Sequence, residues 1–126
     1  MINEKKTILL VEDDQFISQM YKTKLEGEGY NVNTAFNGEE AVMQIGKNKP
    51  DLILLDIMMP KQNGFYVLEK IKENPAWPDI PVIMLSNMAE FQDINKAIEM
   101  GARDYIVKSQ HSIDEVAAKV KKYLGS

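Results

Sequence analysis

The sequence predicts one α/β domain whose parallel β-sheet is covered by helices on both faces. Two observations carry this prediction. Short apolar runs alternate with helix-like segments along the whole chain, and three of these runs contain almost no polar residue. Strands that alternate with helices pair in parallel through right-handed crossovers, and central parallel strands are buried on both faces. The length of 126 residues suits a single compact domain.

Five apolar runs are predicted to be strands, numbered here in chain order. They are β1 (7–11), β2 (30–35), β3 (51–56), β4 (80–86) and β5 (104–108). The first, third and fourth are apolar nearly throughout, which is typical of central strands. The second alternates with polar residues and is expected at an edge of the sheet.

Apolar residues at helical spacing separate the strands, and each helix takes the number of the strand before it. The apolar faces are Ile17, Met20, Tyr21 and Leu25 in α1; Ala41, Val42 and Ile45 in α2; Val67, Leu68 and Ile71 in α3; Ile94, Ala97 and Ile98 in α4; and Ile113, Val116, Ala117 and Val120 in α5. Gly27, Gly46 and Gly101 stand where left-handed helix C-caps are expected. Ser112 and Glu115 have the spacing of a capping box that opens α5.

Composition argues against several classes of protein. The chain has a net charge of −4, no cysteine and one histidine. These counts leave no disulfide framework and no thiolate metal site, and they disfavour zinc. No stretch has the roughly 20 apolar residues of a membrane span, and no dense basic stripe indicates nucleic-acid binding. We therefore expect a cytoplasmic domain without direct contacts to membrane or nucleic acid.

The carboxyl ends of four predicted strands carry polar groups that suit phosphate chemistry: Glu12, Asp13, Asp14, Asp56, Ser86 and Lys108. In open parallel sheets the functional site lies outside these ends. Clustered carboxylates repel one another unless a cation or a proton lies between them, and ligands that are all oxygen favour Mg²⁺. A phosphoryl group on Asp56 would then meet the metal, a hydroxyl and an amine.

Each candidate also has an ordinary structural interpretation. Asp13 and Asp14 are frequent helix caps, and Asp56 alone would suit the start of a turn. Lys108 alone is more often a solvated charge, and Tyr105 alone has the spacing of strand packing. Their joint position at the strand ends favours the functional interpretation.

Five motifs carry a family resemblance. They are V-E-D-D at 11–14, D-I-M-M-P-K-Q-N-G at 56–64, I-P-V-I-M-L-S at 80–86, G-A-R-D-Y at 101–105 and V-K at 107–108. Together they resemble the receiver domain of two-component response regulators, in the form of the single-domain chemotaxis receivers. The resemblance implies one receiver domain over residues 1–126. It also implies a flavodoxin-like, doubly wound, five-stranded parallel sheet in the order 2-1-3-4-5 with five helices.

The same resemblance implies a phosphorylation-dependent switch in place of an enzyme that turns over a substrate. Asp56 would accept a phosphoryl group from a histidine kinase or a histidine phosphotransfer protein. Asp13, Asp14, Asp56 and the backbone carbonyl of Met58 would hold Mg²⁺. The chain would catalyse only its own phosphoryl transfer and autodephosphorylation.

Three further residues would read the phosphoryl group. Ser86 and Lys108 would contact its oxygens, and Tyr105 would swing inward as the hydroxyl shifts. The face formed by the fourth helix, the fifth strand and the fifth helix would change as a result. That face is expected to control a downstream protein or effector domain, and it could support a phosphorylation-dependent homodimer.

Ser109 departs from the family pattern, which commonly has Lys-Pro with a cis bond at this point. A cis bond without proline costs about 3 kcal/mol, so the Lys108-Ser109 peptide is either trans or strained. We expect a displaced loop from which Lys108 still reaches the site.

Other departures concern the lifetime of the phosphate. Asn87 stands where the family often has Ala or Gly, and it is expected to narrow access to the phosphoryl group. Met58 and Met88 are apolar where some members carry residues that orient an attacking water. Slow dephosphorylation is expected.

The residues disfavour two other function classes and leave a third as an alternative. A haloacid-dehalogenase-like phosphatase needs a second acid where Met58 stands, and a flavin carrier needs a first loop that does not repel phosphate, as V-E-D-D-Q-F would. The remaining alternative is a receiver-like binding module with a vestigial site.

Overall fold

The computed structural model describes residues 5–125, and strands and helices alternate along it as predicted. The strands are β1 (Thr7–Val11), β2 (Asn31–Ala35), β3 (Leu52–Leu55), β4 (Val82–Ser86) and β5 (Asp104–Val107). The helices are α1 (Gln15–Gly27), α2 (Gly38–Lys47), α3 (Gly64–Glu73), α4 (Phe91–Glu99) and α5 (Ile113–Leu124). A short 3₁₀ turn, Lys108–Gln110, follows β5.

All five strands pair in parallel, in the order β2-β1-β3-β4-β5. This order confirms the predicted doubly wound sheet and the edge position of β2. Val11 pairs with Leu55, and Ser86 pairs with Val107. Because these pairs are the last of their ladders, the carboxyl ends of the strands meet at one edge of the sheet.

The core has two layers, one on each face of the sheet. Leu52 and Leu54 of β3 pack with α1 and α5, whereas Ile53 and Leu55 pack with α2, α3 and α4. The strand is buried along its whole length, which explains why its sequence lacks the polar alternation of a one-sided strand. Within residues 5–125, no helix has the length and apolar character needed to cross a membrane.

The helix ends correct two predictions and confirm two others. Gly27 and Gly46 lie inside α1 and α2, and Gly29 has the left-handed backbone after α1, with φ +100°. The apolar pattern marks only the buried face of a helix. When the last turn of the helix is exposed, the pattern therefore ends before the helix does. Gly101 has φ +111° after α4, and Ser112 forms the predicted capping box.

The N-terminus of α2 packs against the loop that follows β3. Lys61 and Gln62 in this loop have positive φ values of 46° and 63°, which L-residues adopt only at a cost. The N–H of Gly38 donates to the carbonyl of Gln62 at 2.8 Å. A Cβ at position 38 would overlap that carbonyl oxygen. The absence of a side chain at Gly38 therefore allows this helix to hold the loop.

The Gly38→Ala variant is expected to lower the free energy of unfolding by about 2 kcal/mol, because the new methyl group must displace the loop. Gly46→Ala in the same helix is the matched control, since its Cβ would have nothing nearer than a Trp77 ring carbon at 3.9 Å. The control is expected to gain up to about 1 kcal/mol from helix propensity. Urea denaturation measures both values, and equal values for the two variants would contradict the proposed contact.

Candidate functional site

Three carboxylates meet where β1 and β3 end. One carboxylate oxygen each from Glu12, Asp13 and Asp56 lies within 4.8 Å of the others. The backbone holds two of these residues in place: the N–H of Glu12 donates to Ala35 O at 3.0 Å, and the N–H of Asp56 donates to Val11 O at 3.1 Å. Glu12 and Asp56 are buried, whereas Asp13 is exposed. The group thus has two buried carboxylates and one that is open to solvent.

The third carboxylate of this group belongs to Glu12, whereas the family resemblance implied Asp14. The Asp14 carboxylate instead caps α1, accepting from the N–H groups of Phe16 at 2.9 Å and Ile17 at 3.1 Å. Since β1 ends at Val11, Glu12 is the first residue beyond the strand and Asp14 already lies at the helix start. The preference of Asp for the N-cap position agrees with this role of Asp14, but in the sequence it applied equally to Asp13.

Lys108 reaches the acidic group from the end of β5. Its Nζ donates to Asp56 Oδ2 at 2.9 Å and also to Glu12 Oε1. Its side chain is only 9% exposed. Among residues 5–125 no peptide bond is cis, so the Lys108-Ser109 bond is trans. The expectation that Lys108 contacts the site without the usual proline is confirmed, while displacement of its loop stays a prediction.

The charges of this group are linked. Burial alone lowers the pKa of Lys108, but its hydrogen bonds to Glu12 and Asp56 outweigh burial and raise the pKa above 10.5. Burial raises the pKa of Glu12 above 4.5, and the negative charge of Asp56 raises it further. The hydrogen bond from Lys108 lowers this pKa but does not outweigh burial. Two carboxylates facing one ammonium leave an excess of negative charge, so the group favours a proton or a cation.

Ser86 and Tyr105 contact the backbone of the same residue, Met88. The fully buried Ser86 hydroxyl accepts from the Met88 N–H at 3.2 Å, and the Tyr105 hydroxyl donates to the Met88 carbonyl. Burial raises the pKa of Tyr105 above 10.0, so its hydroxyl remains a donor at neutral pH. Both side chains are therefore hydrogen-bonded to the loop after β4.

A cleft of about 430 Å³ opens beside the acidic group. Asp13, Met58 and Met88 are among its lining residues. The Met58 N–H donates to Asp56 Oδ1 at 3.3 Å, while the Met58 side chain is 63% exposed. The two predicted methionines therefore lie at the mouth of the site, and the wall they form is apolar.

The donor set fits Mg²⁺. Glu12, Asp13 and Asp56 offer oxygen only, and small divalent cations that keep part of their water shell bind through one or two carboxylates and phosphate oxygens. Asp13, which is exposed, lines the cleft, so its carboxylate is open to an ion from solvent.

The chain is similar in sequence to known proteins. A family model described as the response regulator receiver domain matches residues 8–121. The curated relative "Probable transcriptional regulator ycf27" of Pyropia yezoensis is 40% identical over 124 residues, which are 98% of this chain and 49% of that protein. The "DNA-binding dual master transcriptional regulator RpaA" of Synechocystis is 36% identical over 93% of this chain and 48% of its own length. The chain spans about half the length of these relatives.

Solved structures agree with the fold. A two-component response regulator from Clostridium difficile has a TM-score of 0.87 and 32% identity, with 95% of this chain and 96% of that chain covered. The chemotaxis protein CheY4 of Vibrio cholerae has a TM-score of 0.89 and 26% identity, with 96% and 100% covered. The BeF₃-activated receiver domain of Klebsiella pneumoniae RstA has a TM-score of 0.86 and 28% identity, with 95% and 99% covered.

Proposed function

Because the chain belongs to the response regulator receiver domain family, we propose that it is a phosphorylation switch whose phosphoacceptor is Asp56. The observation that carries the proposal is the convergence on Asp56, at the end of β3, of two carboxylates from the end of β1 and one ammonium group from the end of β5. The donor is a histidine kinase or a histidine phosphotransfer protein.

The proposed reaction transfers one phosphoryl group. A carboxylate oxygen of Asp56 attacks phosphorus, a P–O bond forms, and the P–N bond to the donor histidine breaks with its electron pair returning to the imidazole. Such transfers need mainly positioning and charge compensation. Asp56 is positioned by the buried strand before it, and Lys108 already donates to one of its oxygens.

Glu12, Asp13 and Asp56, with the Met58 carbonyl, would hold Mg²⁺ beside the acceptor. The bound ion supplies positive charge to the phosphoryl oxygens. Lys108 and the buried Ser86 hydroxyl would donate hydrogen bonds to the remaining phosphoryl oxygens.

The proposal is tested by incubating the protein with acetyl phosphate and Mg²⁺ and measuring its intact mass. We expect the mass of one added phosphoryl group, and no addition when EDTA removes the metal. An unchanged mass with acetyl phosphate and also with a phosphorylated histidine phosphotransfer protein would overturn the proposal. It would favour the alternative, a receiver-like binding module with a vestigial site.

The proposed metal ligands include Asp13 but not Asp14, and this difference leads to a separate prediction. Asp13→Asn is expected to weaken Mg²⁺ binding at least about tenfold, because one charged ligand is lost. Asp14→Asn is the matched control, since asparagine caps helices as well as aspartate does. Its Mg²⁺ affinity is expected to stay that of the unaltered chain. NMR titration with MgCl₂ measures both, and weaker binding by the Asp14 variant would restore Asp14 as a ligand.

We further propose a long-lived phosphate, because Met58 and Met88 offer no group to orient water in the cleft. Met88→Glu is expected to shorten the lifetime on the order of tenfold or more, since a positioned carboxylate assists attack by water. Met88→Leu keeps the wall apolar and is expected to change little. Decay of the phosphorylated protein after removal of the donor measures the lifetime, and equal decay of both variants would remove this idea.

We propose the α4-β5-α5 face as the output surface. It exposes Phe91 and Ile98, and within the chain Asp104 accepts from Lys119 at 3.0 Å and from Tyr123 at 3.2 Å. The relative RpaA is named as a DNA-binding regulator, so an output through a DNA-binding partner or domain is consistent with this face. Sedimentation with and without beryllofluoride tests whether activation also produces a homodimer.

A further inference from the structure

Two positions that depart from the family pattern contact each other. The Asn87 Oδ1 accepts a hydrogen bond from the backbone N–H of Ser109 at 2.9 Å. The two residues are 22 positions apart in the chain. A proline at position 109 would have no N–H to donate, and an alanine or glycine at position 87 would have no side-chain acceptor. The bond therefore requires a side-chain acceptor at position 87 and a residue other than proline at position 109.

The contact lies one step beyond the end of a strand pair. The ladder between β4 and β5 ends where Ser86 pairs with Val107. After that pair, the backbone of β4 enters its loop and that of β5 enters the 3₁₀ turn. The Asn87 side chain bridges this gap and continues the connection between the two chain segments after their backbone ladder has ended.

Each end of the bridge directly follows a residue that is proposed to contact the phosphoryl group. Asn87 directly follows Ser86, whose hydroxyl is fully buried. Ser109 directly follows Lys108, whose ammonium binds Asp56 and Glu12. A change in the distance between the two loops would thus change the distance between the hydroxyl and the ammonium.

We propose that Asn87 is a positioning residue that holds the Lys108 loop in register with Ser86, so that hydroxyl and ammonium engage the phosphoryl group on Asp56 together. This inference rests on the proposed function. Asn87 touches neither the acceptor nor the phosphoryl group in this role, because it acts through the backbone of Ser109.

The first test removes the acceptor and then restores it. Asn87→Ala is expected to slow phosphorylation by acetyl phosphate about three- to tenfold, the range that corresponds to one ordinary hydrogen bond. Asn87→Asp keeps the acceptor oxygen and is expected to recover most of the rate at high ionic strength, where its added charge is screened. Hydrogen exchange of the Ser109 amide is expected to be faster in the alanine variant only.

The second test removes the donor. Ser109→Pro deletes the N–H, whereas Ser109→Ala keeps it and is the matched control. Ser109→Pro is expected to slow phosphorylation in the unaltered background and to add little in the Asn87→Ala background, because the bond is already absent there. Mg²⁺ affinity is expected to stay constant in the alanine and proline variants, which leave the charge unchanged, since the acidic ligands do not contact the bridge.

The outcomes separate this inference from the function on which it rests. Normal or faster phosphorylation of Asn87→Ala would overturn the bridge while leaving Asp56 as the acceptor, and faster phosphorylation would favour steric control of access by Asn87. Full additivity of the two single effects would also overturn it. If the unaltered chain takes up no phosphoryl group, the proposed function fails and the inference fails with it.

Discussion

Replacement of Asp56 by alanine is expected to abolish phosphoryl incorporation completely. The carboxylate oxygen is the nucleophile of the proposed transfer, and no compensation by a neighbour is expected because Asp13 and Glu12 are the proposed metal ligands. Intact-mass measurement after incubation with acetyl phosphate and Mg²⁺ provides the readout. The expected result is the mass of the unmodified chain at every time point.

Asp51→Ala is the matched control for this variant. Asp51 precedes the same strand at its opposite end, where it is exposed and accepts from the Thr7 N–H at 2.8 Å. Incorporation is expected to be unchanged in the control. A phosphoryl group on the Asp56 variant, or its loss from the Asp51 variant, would show that another residue is the acceptor.

The Asp56→Ala variant is expected to remain folded. Lys108 keeps Glu12 as a partner when Asp56 is removed, and the repulsion between the two buried carboxylates disappears. We expect the free energy of unfolding to change by less than about 2 kcal/mol. Loss of phosphorylation can therefore be attributed to the missing nucleophile and not to unfolding.

Replacement of Lys108 by alanine is expected to have the largest effect on stability. Lys108 is the partner of two buried carboxylates, and its removal leaves Glu12 and Asp56 facing each other without a counter-ion. Breaking a buried ion pair by removing one partner typically costs about 3 to 5 kcal/mol. We expect about 3 kcal/mol at neutral pH, measured by urea denaturation without Mg²⁺.

The pH dependence of this loss follows from the two raised pKa values. Because the folded pKa of Lys108 lies above 10.5, its contribution is fully present below the unfolded pKa and is lost as the pH rises through the folded pKa. In the alanine variant the ionised Glu12 has no counter-ion, so it destabilises the folded chain at pH values above its folded pKa, which is raised above 4.5. As the pH falls through that pKa, Glu12 takes up a proton and the destabilisation disappears. The loss of unfolding free energy in the Lys108→Ala variant is expected to be largest from about pH 7 to 9 and smaller in acid.

Lys119→Ala is the control for the loss of a lysine ion pair. Its Nζ binds Asp104 Oδ2 at 3.0 Å, but the Lys119 side chain is 38% exposed. An exposed pair of this kind contributes about 0 to 1 kcal/mol. Equal losses for the two lysine variants would contradict the view that the buried carboxylates depend on Lys108.

Much of the fold was predictable because its determinants are local. A strand such as β3 is apolar because both of its faces are covered, and that pattern can be read without knowing the neighbours. Ser112 and Glu115 predict their capping box in the same way, because both partners lie within one helical turn. Because functional groups of parallel sheets lie at the carboxyl ends of the strands, the sequence also predicted Asp56, Ser86 and Lys108 at one edge of the sheet.

The choice between Asp14 and Glu12 depended on the tertiary structure. Both residues lie within three positions of β1, and the sequence pattern cannot decide which carboxylate turns toward Asp56 and which caps α1. The decision follows from the end of the strand at Val11 and the start of the helix at Gln15. A difference of one or two residues in an element boundary is enough to exchange these roles.

The sequence by itself determined the alternation of strands and helices, the two-sided burial of the central strands and the residues that stand at their ends. Only the tertiary structure decided which distant residues touch: Gly38 with Gln62, and Asn87 with Ser109. The physical reason is that apolar periodicity and capping act within one or two turns of chain. Hydrogen bonds between loops depend instead on the register of strands, which is set by the packing of the whole sheet.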